Sequence, residues 1–412
     1  MGKIIVSHPT ANTFVRAIAN GLVKAGKLEA FYTSVAAFPG SMLEKLGGIG
    51  PFAEIKRRGF DPGLQPYTHT WPWTELGHVI SNKLKFKSLT AHETGVFSID
   101  SIYQSLDKHV AGQLTRLAKP GVSGVYAYED GALATFEKAK QLNLKRVYDL
   151  PIAYWETGRR IMTEEAERLP QWAVTLGGGI QDSAAKLERK VAELQLADAV
   201  VVPGKFVKDS LPDWAQDKQV IVSPFGSPVN PAYNAGLRQQ NTNKPLRVLF
   251  AGSMGQRKGL GDLFEAVKLL NTPKIELVVM GSLLTDFDFY KSQFSGFTYE
   301  KGRPHAQVLE LMRTCDVFCL PSIVEGRALV MQEAMSQGLP LIITPNTGGE
   351  DLVIEGETGF LVPVRSPEAI AAKLNWFLEN RDKINAMGLK AQQHAATYTW
   401  EQYANQIISA IV

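Results

Sequence analysis

The stretch Val317–Ile343 reads VFCLPSIVEGRALVMQEAMSQGLPLII. Its opening apolar run, Val317 to Leu320, is closed by Pro321 and Ser322 and reads as a buried parallel strand. A loop holding Glu325 and Gly326 follows. Ala328 to Met335 then has the composition of a helix, stopped by Gly338 and Pro340, and Leu339 to Ile343 begins the next strand. The unit is strand, acidic loop, helix and strand, with Glu325 just before the helix and Glu333 within it. The free N–H groups at such a helix start carry roughly half a positive charge, and a phosphate can sit against them. Further along, Glu333 can accept hydrogen bonds from ribose hydroxyls, and Glu325 at the mouth can hold a hydroxyl-rich sugar. Taken as two isolated glutamates, they read as well as a helix-start charge and a solvated one.

Glu325 and Glu333 with seven residues between them, followed by Ala334-Met335 and then Gly338 and Pro340, resemble a known pattern. It is the donor-site signature of the GT-B retaining glycosyltransferases of family 4, and the resemblance spans roughly 245–405. It implies an α/β chain of two Rossmann-like, doubly wound domains facing across a cleft, with a C-terminal helix crossing back to the first. The expected division is 1–226 for an acceptor-side domain, 227–245 for a linker, 246–395 for the donor domain and 396–412 for the terminal helix. The linker stretch SPVNPAYNAGLRQQNTNKP is rich in Asn, Gln and Pro and poor in apolar residues. The implied reaction moves a sugar from a nucleotide-diphosphate sugar to an acceptor hydroxyl with retention of configuration. A UDP-sugar is the favoured donor and a GDP-sugar the next, while the acceptor is a sugar, a lipid-linked molecule or a small molecule.

Composition agrees with two cores: 412 residues, 45% hydrophobic and 21% charged. A net charge of +3 gives no reason to expect nucleic acid as a partner. Cys315 and Cys319 lie in or beside a buried strand, which fits thiols in a reducing cytosol better than a disulfide. No apolar run approaches a membrane span, and the start MGKIIVSHPT runs directly into a strand without signal-peptide shape. The expected location is the cytoplasm, with peripheral contact at the inner face of the membrane as an addition. That addition comes from 38–95, an irregular excursion in which Phe52, Trp73 and Phe86 mix with Lys56, Arg57, Lys83, Lys85 and Lys87. Through 52–87 it can dock on an anionic bilayer, or its aromatics can pack inward while its charges are solvated.

In chain order, Lys3–Ser7, a helix from Phe14 to Ala25 and a strand from Glu29 to Ser34 form an opening βαβ unit. No G-x-G-x-x-G follows the first strand, which disfavours a dinucleotide-dependent dehydrogenase. Thr10, Asn12 and Thr13 face an acceptor or cap the helix. Asp130 and Asp149, at the C-terminal ends of strands 124–128 and 146–149, serve an acceptor hydroxyl or simple turn chemistry. The second half opens with the strand Leu246–Ala251, then Gly252-Ser253-Met254-Gly255-Gln256-Arg257-Lys258-Gly259 and a helix from Leu260 to Leu270. A glycine-rich turn there lets the backbone approach an anion, and it lacks the Walker A order. The resemblance assigns Lys258 and Arg257 to the donor diphosphate; Ser253 stands where family members often carry Arg. By the same resemblance Arg303 and Pro304 flank the base, and Leu329 and Val330 join Gly252, Ser253 and Glu333 around the nucleotide. Glu325, Gly326, Arg327 and Ala328 are placed at the donor sugar. Arg327-Ala328 replaces the family's usual Phe-Gly, so Arg327 either reads a carboxylate or phosphate on a substrate or is a surface arginine beside Glu325. Pro367 to Tyr398 reads as helix, and Trp400 to Ile411 as a last amphipathic helix.

Departure of a nucleotide diphosphate develops negative charge that positioned cations stabilise. Lys258, Arg257 and Glu325 are therefore the expected catalytic residues. No carboxylate pair of the DxD type stands in a suitable loop, so neither a metal nor any other cofactor is expected. The alternatives are a non-catalytic nucleotide-sugar-binding protein of the same fold, a sugar-nucleotide epimerase, or a phosphorylase carrying pyridoxal phosphate.

Overall fold

The structure is a computed structural model that describes residues 2–10, 12–41, 44–45, 58–228, 235 and 244–412. Most of the expected linker 227–245, together with Phe52, Lys56 and Arg57 of the expected membrane contact, lies outside the described residues.

The first sheet has β1 (Lys3–Ser7), β2 (Leu28–Thr33), β3 (Thr68–Thr70), β4 (Val122–Tyr128), β5 (Lys145–Asp149), β6 (Ala199–Val202) and β7 (Gln219–Val222). Their order is β3-β2-β1-β4-β5-β6-β7, and neighbouring strands run parallel. The second has β8 (Leu246–Ala251), β9 (Ile275–Gly281), β10 (Phe297–Lys301), β11 (Val317–Leu320), β12 (Leu341–Ile343) and β13 (Gly359–Leu361). It runs β10-β9-β8-β11-β12-β13, again parallel. Helices cover both faces of each sheet, which is why strands such as β11 are apolar at every position and fully buried. Strand order reverses between β1 and β4 and again between β8 and β11, and at such a reversal the loops leaving the strands open a crevice.

One expectation needs correction: the described residues of 38–95 hold regular structure, the edge strand β3 and the helix Trp73–Lys83. The expected helical run from Pro367 divides into Pro367–Glu379 and Ile384–Ala396. The break lies at Asn380, whose side-chain amide donates to the Trp376 carbonyl at 2.8 Å and closes the first helix.

The terminal helix Trp400–Ile411 packs on the first domain, where Tyr403, Ile407 and Ile411 join the core of Ile4, Val6, Val15 and Ile18. Thr399 and Gln402 form a capping box at its start. Gln406 donates to the Val222 carbonyl at 2.7 Å, and Ser223 to the Tyr403 carbonyl at 3.1 Å. A crossing also runs the other way. Trp172, far ahead of the linker in sequence, lies in the second domain's core against Phe264, Phe289 and Tyr290.

Asp149 belongs to this architecture and not to an acceptor site. It is 1% exposed, and its carboxylate accepts from Tyr126 and, at 3.4 Å, from Tyr403 of the terminal helix. The end of β5 points this side chain into the sheet–helix interface, so no acceptor reaches it. Burial pushes its pKa up to about 7, against the two tyrosine hydrogen bonds. The folded protein thus keeps a proton that the unfolded chain releases near pH 4. Stability from this group falls as pH rises from about 4 to about 7 and is level above that. Asp149→Asn removes the slope, so the variant gains on the wild type by roughly 2–4 kcal/mol between pH 5 and pH 8. Urea unfolding at the two pH values checks this; an unchanged difference would contradict it.

Candidate active site

The turn after β8 is shaped by its glycines. Gly259 has φ +74°, and a Cβ there would stand 2.0 Å from the Pro321 carbonyl oxygen, so the turn is pressed against the end of β11. The Lys258 side chain folds back over Gly252, where a Cβ would come within 2.7 Å of Lys258 Cδ. The Lys258 ammonium meets the Glu325 carboxylate, and Arg257 reaches the same Oε1 at 3.1 Å. Arg257 also donates to the Val324 carbonyl at 3.1 Å. Burial raises the Glu325 pKa, but the charges of Lys258 and Arg257 outweigh it and hold the carboxyl below its ordinary range. Two cations and one ionised carboxylate therefore converge at the switch point between β8 and β11.

Behind the turn, Gln256 is fully buried and ties it to the first domain's side. Its amide nitrogen donates to Glu165 at 2.7 Å and to Asp262 at 3.0 Å, while Arg168 bridges the same two carboxylates. The Gln256 backbone N–H donates to Thr175 Oγ1 at 3.0 Å. The segment that carries Trp172 thus braces the cationic turn from outside the donor domain.

A cleft of about 480 Å³ opens between the domains. Gly252, Lys258 and Arg303 line it, with the loop from Glu325 to Val330 and Glu333. Phe14, Pro151, Ile152 and Phe225 close it from the first domain. Ser253, Arg257 and Pro304 sit in the same loops but off the cleft wall. Gly326 allows the close approach of the two halves: a Cβ there would lie 1.7 Å from the Pro151 carbonyl oxygen. The helix Leu329–Ser336 points its start at the cleft, where its first N–H groups have no partner within the helix. Glu333, on that helix, accepts from or pairs with His305 at 3.1 Å, and burial raises its pKa while His305 opposes the rise. Arg303 is held by Glu300, and Pro304 precedes the helix His305–Arg313.

Arg327 does not present its charge to a substrate. Its side chain is 0% exposed and turns away from Glu325. The guanidinium grips Asp351 with two bonds of 2.6 and 3.0 Å, and donates to Gln332 and to the Gly348 carbonyl, each at 3.0 Å. It also lies 5.1 Å from the Tyr398 ring. Gln332 in turn donates to the Phe225 carbonyl at 2.7 Å and to Ser227 at 2.8 Å, so this network bolts the donor helix to the junction of the domains.

A second cavity, of about 260 Å³, lies at the β1–β4 reversal of the first domain. Asn12 lines it and makes no side-chain cap to its helix. Thr10 touches His8, and Thr13 is exposed at the helix start. Asp130 lines the cavity from a turn with φ +71°. Arg189 holds it at 3.1 Å and Lys190 at 3.4 Å, while the buried Glu193 accepts its backbone N–H at 2.9 Å. His8, which sequence reasoning passed over, forms the wall beside Asn12; burial lowers its pKa to about 4, so it is neutral at pH 7. The signal for it was available: it is the first residue beyond β1, at the sheet's switch point.

Among the described residues, one group has the spacing of metal ligands, His92, Glu93 and Asp182, whose donor atoms lie within 4.8 Å of one another. Lys186 already places its ammonium 3.1 Å from Asp182 and 2.9 Å from Asp100, supplying the positive charge there. No helix among the described residues is long and apolar enough to cross a membrane.

Residues 234–394 match the family model described as glycosyl transferases group 1. D-inositol 3-phosphate glycosyltransferase of Corynebacterium urealyticum is 37% identical over 108 residues, 26% of this chain and 26% of that protein. The putative colanic acid biosynthesis glycosyltransferase WcaL of Salmonella typhimurium is 26% identical over 187 residues, 41% of this chain and 45% of that one. The chain therefore spans between about a quarter and a half of the length of these relatives. Among solved structures, sucrose-phosphate synthase of Thermosynechococcus elongatus superposes with a TM-score of 0.65 at 18% identity, over 99% of this chain and 98% of that one. Anabaena HepE in complex with UDP gives 0.57 at 13% identity, over 99% of each chain. These likenesses establish the GT-B fold for the whole chain.

Proposed function

We propose that this chain is a glycosyltransferase that moves a sugar from a nucleotide-diphosphate sugar, a UDP-sugar first, to an acceptor hydroxyl. The observation that carries the reading is the convergence of Lys258 and Glu325, whose carboxylate Arg257 also holds, with the start of Leu329–Ser336 on a cleft built by both domains. The group 1 match over the donor half and the UDP-bound state of HepE support it.

Glu325 is an anion already seated on the two cations. A diphosphate carries more charge and more acceptor oxygens, so it takes over Lys258 and Arg257 and lies against the helix start. Glu325 is then released to hold donor-sugar hydroxyls. As the bond between the anomeric carbon and the diphosphate oxygen breaks, negative charge grows on that oxygen beside fixed cations. These cations take the place that a magnesium ion fills elsewhere, and the transfer proceeds without metal and with retention of configuration. Glu333 accepts the ribose hydroxyls, and the loop of Arg303 and Pro304 borders the base. The acceptor enters by the cavity of His8, Asn12 and Asp130, where a neutral imidazole can exchange hydrogen bonds with a hydroxyl.

Glu333→Ala is expected to weaken UDP binding by about 1.5–3 kcal/mol, the range for a hydrogen bond to a charged group. Calorimetric titration checks it, and unchanged affinity would remove Glu333 from the ribose. The reading as a whole is tested by release of UDP from UDP-glucose and UDP-N-acetylglucosamine with a panel of acceptors in EDTA. Proton NMR of the product reads the anomeric configuration. Binding of nucleotide with no release of UDP from either donor would overturn transfer.

A further inference from the structure

We infer that the outward face of the helix Trp73–Lys83, with the loop that follows it, docks on an anionic lipid bilayer. Eight of the fifteen large hydrophobic side chains exposed among the described residues fall between positions 73 and 99. On the helix, Trp73 is 65%, Leu76 45% and Ile80 56% exposed, a spacing that puts them on one side. One flank, at Gly77, and the opposite side, at His78, are already satisfied. Gly77 packs so closely on Phe97 that a Cβ would come within 2.3 Å of the ring, and His78 Nδ1 lies 2.6 Å from the Phe97 carbonyl oxygen. Among the described residues the outward apolar side therefore has no partner.

The charge around it selects the occupant. From the end of the helix the chain reads Lys83-Leu84-Lys85-Phe86-Lys87, with all five residues exposed. Lys85 and Lys87 can extend to lipid phosphates while Leu84, Phe86 and Trp73 enter the boundary between headgroups and acyl chains. The acid on the helix, Glu75, is held by Arg58 and does not oppose them. A cavity of about 530 Å³ lined by Trp71, Thr74 and Val96 adjoins this face, and the run of lysines decides for a bilayer. Ile99, another of these exposed side chains at 56%, lines the cavity of His8 and Asp130. A molecule anchored in the bilayer could thus present its polar end to that cavity, so on the transfer reading above the acceptor is an amphiphile.

The test is co-sedimentation of the full chain with vesicles of phosphatidylcholine alone and of phosphatidylcholine mixed with phosphatidylglycerol. The expected result is sedimentation with the mixed vesicles, weakening as salt rises. Lys85→Gln and Lys87→Gln together should lower the partition coefficient about thirtyfold. Trp73→Ser, Ile80→Ser and Phe86→Ser together should abolish it. All five positions are exposed, and an unchanged melting temperature with an unchanged shift on adding UDP confirms that each variant is folded. No sedimentation with either vesicle at low salt, or sedimentation unaffected by both variants, would overturn the inference. So would a concentration-dependent dimer that the apolar variant dissolves, which would give the face to a second copy of the chain. Vesicle binding is read without any sugar donor, so its failure is separate from a failure of the transfer reading.

Discussion

Lys258→Ala is expected to lower kcat by about a hundred- to a thousandfold, the loss of about 3–4 kcal/mol that follows removal of one donor from a developing oxyanion. Lys258 is the cation that lines the cleft, folded over Gly252 and seated on Glu325. Its partner Arg257 stands off the cleft wall and shares its charge with the Val324 carbonyl. The lysine loss should therefore exceed the arginine loss. Because the leaving group gains charge only as the bond breaks, the larger part should appear in kcat and the smaller in KM. Removing Lys258 also leaves Glu325 with one cation in a buried position, so Glu325 should titrate at higher pH in the variant. Steady-state kinetics over a range of donor concentrations check the split. A variant with normal kcat and raised KM would reduce Lys258 to a binding residue.

Arg327→Ala is expected to cost about 2–4 kcal/mol of stability and to leave discrimination between charged and neutral substrates unchanged. The truncation removes both bonds to Asp351 and those to Gln332 and the Gly348 carbonyl, and it opens a void under Tyr398. The Asp351 side chain remains 39% exposed, so water meets part of its need and the cost lies below that of a fully buried pair. Arg327→Lys keeps the charge but loses the planar fork, and should fall between the two. Denaturant unfolding measures the first claim, and paired assays with phosphorylated and neutral acceptors the second. Lost discrimination at normal stability would return Arg327 to the substrate.

How far the sequence could be read depended on whether a signal was local. Strands β1, β8 and β11 were bounded to the residue because each has a short apolar core, unbroken in β11, ended by a loop-forming stretch. The loop of Glu325 and the helix of Glu333 were legible because charge position along one βαβ unit is set within that unit. β3 was not legible: Thr68-His69-Thr70 is a short edge strand with neither apolar alternation nor a run. Arg327 points where it does because of Asp351, and Asp149 because of Tyr403, partners supplied by other elements far along the chain. Trp172 crosses to the other core for the same kind of reason, since nothing in its own neighbourhood names Phe264 as its partner. Placement by distant partners leaves no period and no spacing to read.

The most direct measurement is calorimetric titration of UDP into the wild type and into Lys258→Ala, both in excess EDTA. The account predicts that UDP binds the wild type without metal and that the variant binds it more weakly. Binding that appears only when magnesium is restored, or equal affinity in the two proteins, would contradict a cationic turn that holds the donor diphosphate by itself.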